Sequence, residues 1–409
     1  MSKLFTPLMR VLAATAIGGC GPVVVAQTAT LRFGEPVFAG EIVTGVSAAG
    51  VSLSSADGVR TVSLDRVAGI SADPADPLTI EWGKLRQAAF TLWRARTRIE
   101  RGDVASSEAM LETLIPAFGE AGGETGPVLW AGILRCRMLR GGVPSAIVPF
   151  TRYRGLRARP GPESSMFRPP SSLPDAAILD EAAMLCPGLP PIFVATPAVI
   201  AAARDRIDRA APNTLSPAIN TLYDAALIHE FAPISGHPFG AVSDDGTVLV
   251  RDIVKSRLGT FQERATARAA LEDRLSTVQP GWVYAWCHTA VGRSLVMEED
   301  VETRLLGVAQ LLRVPASYAA DVPYLTGLAL AEAAVALHRL GDTTSAILLR
   351  TEVAETMPDH PVLDWPQLRA ITTELKNAPA GAAAVPVEVP DTLLPEPALS
   401  APSVPGDPR

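Results

Sequence analysis

Two six-residue stretches limit what this chain can fold into more than any other feature. They are Gly141-Gly142-Val143-Pro144-Ser145-Ala146 and Gly341-Asp342-Thr343-Thr344-Ser345-Ala346. Each lies between apolar segments of helical period. Each therefore reads as a helix, a left-handed glycine that ends it, and a second helix whose small alanine permits close approach. A third site, Gly102-Asp103 with Ala109, has the same character but stands two residues out of register. Helices this short are unstable alone, so each apolar stripe must be covered by a neighbour, and stacked antiparallel pairs do that economically.

Helical periodicity starts after Asp73-Pro74-Ala75-Asp76-Pro77. Leu85, Ala88, Ala89, Leu92 and Ala95 line one face of a helix running to about Glu100. A return helix over 105–115 and a pair over 128–139 and 144–153 follow. Residues 155–191 hold eight prolines and read as a mobile connection over the surface, with one helix over 175–185. Helices are then expected over 197–209 and 216–231, the second capped by Ser216 before Pro217. Asp244-Asp245-Gly246 reads as a turn, between two short strands or in an irregular loop. Helices over 253–278, 281–297, 301–312, 323–340 and 343–357 complete the run. From Ala378 onward, 8 of 32 residues are proline and the segment reads as a disordered tail.

Ahead of the helices, residues 31–70 alternate with period two, broken by Ala48-Ala49-Gly50 and Asp57-Gly58. That predicts a meander of about five strands with tight hairpins. Its rhythm is similar to that of SH3-like and Sm-like barrels, in which a long strand bent at a glycine, here Gly45, leads into shorter ones.

Trp130, Ile133, Ala146 and Phe150, and in the second stretch Ala346 and Pro358, fall where tetratricopeptide repeats place their packing residues. Both turn regions resemble that family. Leu330 stands where the family has tryptophan, Arg350 where it has an aromatic, and the intervals are nearer about 40 residues than 34. The resemblance implies a concave face that binds peptides or protein segments, and it selects no binding residue.

The first residues read as an export signal. Lys3 and Arg10 precede an apolar core, and Val24-Val25-Ala26 offers small residues for cleavage after Ala26. Ile17-Gly18-Gly19-Cys20 also resembles the lipobox of bacterial lipoproteins, which would make Cys20 the lipidated first residue. The formal charge of −7 becomes −9 once the two cations of this segment are removed. A protein of that sign has no electrostatic reason to bind nucleic acid or anionic lipid. Cys136, Cys186 and Cys287 form no CxxC pair and read as small buried apolar residues, with one disulfide between two of them as the alternative.

Candidate chemistry is sparse. His229-Glu230 resembles the start of a zinc-protease helix, but the second histidine would fall on Pro233. Cys287-His288 lacks the second cysteine of a haem site and is better read as a helix face packed with Trp282 and Trp286. Gly292-Arg293-Ser294 lacks the second glycine of a nucleophile elbow. Arg94, Arg96, Arg98 and Arg101 scatter around their helix and read as solvated. His237 with Asp244 and Asp245 is the loop that gathers the most chemistry, suited to a cation or to acid–base work.

The expected fold is mainly α: antiparallel helix pairs, as a tetratricopeptide-like α-solenoid or an irregular array, behind a small all-β barrel-like module. The expected divisions are a signal over 1–26, the β-module over 29–72, a repeat-like region over 78–154 and the proline-rich connection over 155–191. A helical domain over 192–376 and the tail over 377–409 complete them. The expected role is a non-enzymatic scaffold or protein-interaction module of a bacterial envelope, periplasmic or secreted. Its partner would be a protein or peptide, with no cofactor, no nucleic acid, and membrane contact only through the signal or a Cys20 anchor. The alternatives are an enzyme or cation site at His237, Asp244 and Asp245, and a purely structural envelope protein.

Overall fold

The computed structural model describes residues 28–32, 41–56, 58–71, 74–157, 179–180, 182–209, 217–232, 234 and 238–377. Cys20, Ala26, residues 158–178, Ser216, His237 and the tail from 378 lie outside the described residues. Among those described, fourteen α-helices follow two small antiparallel sheets. This is the mainly helical class that the patterning predicts.

Strand β1 (Thr28–Leu31) pairs with β5 (Val67–Ser71), while β2 (Ile42–Ser47), β3 (Gly50–Ser55) and β4 (Gly58–Val62) form a meander. The register between β2 and β3 shifts between Val43 and Gly45, the glycine expected to bend the strand. At Gly50, with φ +143°, a Cβ would meet the Val62 carbonyl oxygen at 2.5 Å, so the first hairpin requires glycine there. The two sheets do not close into a barrel among the described residues. After β4 the chain makes a 3₁₀ turn over Leu64–Arg66, which sends β5 to pair with β1 instead of extending the meander.

The helices are α1 (Pro77–Glu100), α2 (Val104–Glu112), α3 (Ile115–Phe118), α4 (Thr125–Leu139), α5 (Val143–Arg157), α6 (Pro197–Arg209) and α7 (Pro217–His229). Then come α8 (Asp245–Leu258), α9 (Phe261–Leu275), α10 (Gly281–Leu295), α11 (Val301–Tyr318), α12 (Pro323–Arg339), α13 (Thr343–Thr356) and α14 (Pro366–Asn377). Packing follows chain order. Sequence neighbours such as α4 and α5, α10 and α11, and α12 and α13 make the largest contacts, and α8 with α10, α10 with α12, and α12 with α14 add the next layer.

Three turns share one geometry. Gly102, Gly141 and Gly341 have φ of +82°, +69° and +90°. The N–H after each glycine reaches back five residues, Asp103 to Arg98, Gly142 to Arg137 and Asp342 to Leu337, at 3.0, 2.9 and 3.0 Å. These bonds satisfy carbonyls that the helix end leaves open. In all three the next helix opens two residues after the glycine, and a small, fully buried residue stands five after it: Ser107, Ala146 and Ala346. Ser107 therefore takes the place assigned to Ala109, which is exposed, and the first turn is in register with the others.

Several boundaries differ from the sequence reading: α11 runs on to Tyr318, α3 and α14 were not expected, and three further differences have a local cause. The helix expected over 253–278 is broken at Gly259, because Thr260 and Glu263 form a capping box that starts α9. Asp244 begins a helix where a turn was expected: its carboxylate accepts from the Thr247 N–H at 2.9 Å and caps α8. Asp180 and residues 182–185, at the end of the helix expected over 175–185, are not helical. The Asp180 carboxylate accepts from the N–H groups of Ala182 and Ala183, and a bridge from Asp180 to Leu185 closes the loop. Such local bonds offer the backbone an alternative to helix.

The stretch expected to lie over the surface up to Pro191 instead runs through the interior at its end. Leu185, Cys186, Leu189, Ile192, Phe193 and Val194 are buried. An extended backbone has no internal partners for its carbonyls, so side chains must supply them. Trp286 Nε1 donates to Pro187, Tyr223 Oη to Leu189, Tyr324 Oη to Ile192 and Arg293 Nη2 to Phe193, at 3.0, 2.6, 3.2 and 2.7 Å. This strap ties α7, α10 and α12 together.

The β-module is fixed to the first helices by buried polar contacts. The Ala49 carbonyl accepts from the N–H groups of Glu124 and Thr125, and the Leu64 N–H donates to Thr125 Oγ1. Asp65, fully buried, accepts from Arg96 Nη1 at 2.7 Å. Arg96 is thus a buried ion-pair residue, a correction to its reading as solvated. Arg98 also finds a carboxylate, at Asp103.

Candidate cavity at the helix ends

The residues singled out in sequence do not come together. Asp244 is held by Thr247 and by Arg154 of α5, and Asp245 is held by Arg274 of α9 at 2.6 Å, so the two carboxylates serve different partners. Partial burial works against Asp244, but the Thr247 bonds and Arg154 hold its carboxyl below the ordinary value; for Asp245 the bond from Arg274 does the same. Their proposed companion, His237, lies outside the described residues. Among the described residues no group of three His, Cys, Asp or Glu side chains is placed to hold a metal ion. Cys136, Cys186 and Cys287 are buried free thiols, pushed up to about 12 by burial, so the alternative of a disulfide between them is not realised. Trp282 packs edge-on against Trp286, and Ser294 of α10 donates to the Ser256 carbonyl of α8 at 2.6 Å.

The structure instead gathers charge around His229 and Glu230, a pair set aside above for want of a second histidine. A cavity of about 290 Å³ is lined by residues that include His229, Glu230, Arg257, Glu332, Arg339 and Trp365. His229, Arg257, Arg293 and Arg339 all come from the last turns of their helices, α7, α8, α10 and α12. The partial negative charge of a helix C-terminus favours cations there without occupying their N–H donors. Glu230 follows α7 directly and Glu332 sits mid-way along α12. The strap supplies Ala195, and Val296 and Met297 add apolar wall.

Arg293 is the buried centre of this network. Its Nε donates to Glu332 Oε1 at 2.8 Å, and its Nη2 donates to the Phe193 carbonyl at 2.7 Å and to Glu230 Oε1 at 3.3 Å. Burial works against its charge, but Glu332 and Glu230 hold it above its ordinary value. Arg257 is in a different condition. Its Nε is buried and has no hydrogen-bond partner, and Glu230 Oε1 stands 4.0 Å away. Burial, and next the charge of Arg293, pulls its guanidinium below the ordinary value. His229 is likewise lowered, first by burial. Arg339 Nη2 donates to Gln367 at 2.7 Å on the open side.

The two carboxylates here are engaged by Arg293. The arrangement suits binding. One signal in the sequence pointed to it: Arg293 and Glu332 are the lone charges of the apolar runs 289–296 and 328–337. Charges so placed are rarely buried unpaired. Comparison with known protein families, with curated proteins and with solved structures returns no match for this chain.

Proposed function

We propose that this chain is a non-enzymatic scaffold of stacked helix pairs that binds a protein or peptide partner in a bacterial envelope. The observation that carries the reading is the thrice-repeated turn at Gly102, Gly141 and Gly341, each followed by a buried small residue at the fifth position. A repeated helix pair packed mainly on its neighbours offers a surface that grows with each unit, the property extended binding proteins use. The tetratricopeptide-like character belongs to this reading and is supported by the burial of Trp130, Ile133, Ala146, Phe150 and Ala346. Pro358 is exposed and adds nothing to it.

The envelope address rests on the signal-like first residues. No helix among the described residues is long and apolar enough to cross a membrane. Expression of the full chain in a Gram-negative host, with fractionation and intact-mass measurement, tests the address. The expected product lies in the envelope fraction and begins at Gln27, or at a lipidated Cys20. Full-length protein confined to the cytoplasm contradicts it. The role is tested by affinity capture from that same envelope fraction, where recovery of no reproducible partner counts against a scaffold.

A further inference from the structure

We propose that the cavity at the ends of α7, α8, α10 and α12 is a binding site for a small organic monocarboxylate, with Arg257 as its anchoring group. The inference goes beyond the scaffold reading and does not depend on it.

Four observations converge. The first is the state of Arg257: a guanidinium with a buried Nε that no group of the protein bonds, beside an Arg293 whose bonds are all made within the protein. The side chain is 26 % exposed and its ion-pair contact to Glu230 is long, at 4.0 Å, so the fork is open to a ligand, and a bidentate carboxylate is the geometry it matches. The second is charge. Arg257 and Arg339 line the cavity with Glu230 and Glu332, and Arg293, bonded to both carboxylates from behind the wall, leaves the group one positive charge in excess when His229 is neutral. One unbalanced charge matches a monoanion. Two carboxylates in the same wall disfavour a phosphate dianion.

The third is size. About 290 Å³ is at the small end of ligand sites, enough for a carboxylate carrying a short apolar body. The fourth is the remainder of the wall. Trp365, Val296, Met297 and Ala195 give that body an apolar surface, and Arg339 on the open side is placed to guide an anion inward. The strap reaches this wall at Ala195.

The experiment is calorimetric titration of the full chain with benzoate, acetate and hexanoate, set against benzamide and inorganic phosphate. Thermal melting is recorded in parallel. At least one carboxylate is expected to bind saturably and raise the melting temperature, and benzamide, isosteric with benzoate but uncharged, to do neither. R257Q is expected to weaken that binding roughly tenfold or more, the loss of a charged hydrogen-bonded pair. R257K is expected to recover part of it. Without ligand, R257Q should melt no lower than the parent chain, because no protein hydrogen bond is lost and the 4.0 Å contact to Glu230 is a weak one.

The proposal is overturned if no carboxylate saturates the parent chain, if benzamide matches benzoate, or if phosphate binds and carboxylates do not. It is equally overturned if R257Q binds as the parent does, or if R257Q melts several degrees lower, which would make Arg257 a structural group. The comparison of benzoate with benzamide needs no variant and stands even where R257Q folds poorly.

Discussion

Asp65 is the residue on which the attachment of the β-module turns. It is fully buried, it accepts from Arg96 and from Ser63, and Arg66 Nε lies 3.7 Å away. Removing Asp65 takes away the buried carboxylate that Arg96, Arg66 and Ser63 share, so Asp65→Ala is expected to cost about 3–5 kcal/mol, read by urea unfolding. A loss under about 1 kcal/mol would mean that Arg96 finds other partners. The glycine turns are tested at the same scale. No atom lies within 4 Å of a Cβ added at Gly341, so Gly341→Ala measures backbone strain alone, about 1–2 kcal/mol.

Protonation gives a third residue-level expectation. His229, His288 and His360 are all lowered, burial being the main cause in each. Burial keeps His360 neutral against the Tyr324 carbonyl, which accepts from its Nε2 and favours the charged form, while its Nδ1 accepts from the Val362 N–H. The unfolded chain takes up protons first, near the ordinary 6.5. The stabilising contribution is therefore complete above that value and is lost as the pH falls toward the lower folded values. Melting temperatures measured across this range should fall on the acid side, and His360→Gln should flatten the slope.

At the scale of elements, side chains that join one helix to the start of another carry the coupling. Arg154 of α5 bonds Thr247 and Asp244 at the opening of α8 and the Met184 carbonyl beside the strap. Arg154→Ala is expected to lower amide protection in the first turn of α8 by roughly tenfold, seen by hydrogen exchange, while the centre of α10 is unchanged. Thr260→Ala removes the capping box of α9 and is expected to cost about 1 kcal/mol.

These same elements mark what a reader of the sequence could see. The glycine turns and the 3.6-residue period identified the helix pairs at once, and α6 was placed over 197–209 in full, because both signals are local. The break at Gly259 was missed because apolar periodicity runs through it, and only the Thr260–Glu263 box interrupts the helix. Asp180 to Leu185 was read as helix because the competing bonds of the Asp180 carboxylate depend on backbone geometry. The strap and the cavity were least legible. The strap's carbonyls are met by side chains about 30 to 130 residues distant, and the cavity draws on five helices, so no window of sequence holds either.

For the whole molecule, the arrangement couples a β-module, a stack of helix pairs and a buried strap without any one interface dominating. The proposed binding role requires a partner's contacts to spread over several of these units. That is the central claim, and in situ photo-crosslinking tests it most directly. A photoreactive residue is placed singly at exposed apolar positions on different helices, at Phe90, Leu139, Ile207, Phe261, Leu306 and Leu348. The full chain is expressed in an envelope-bearing host and adducts are identified by mass spectrometry. The account predicts adducts with the same partner protein from positions on at least two different helix pairs. Absence of a protein adduct at every position, in protein shown to be folded, would contradict it.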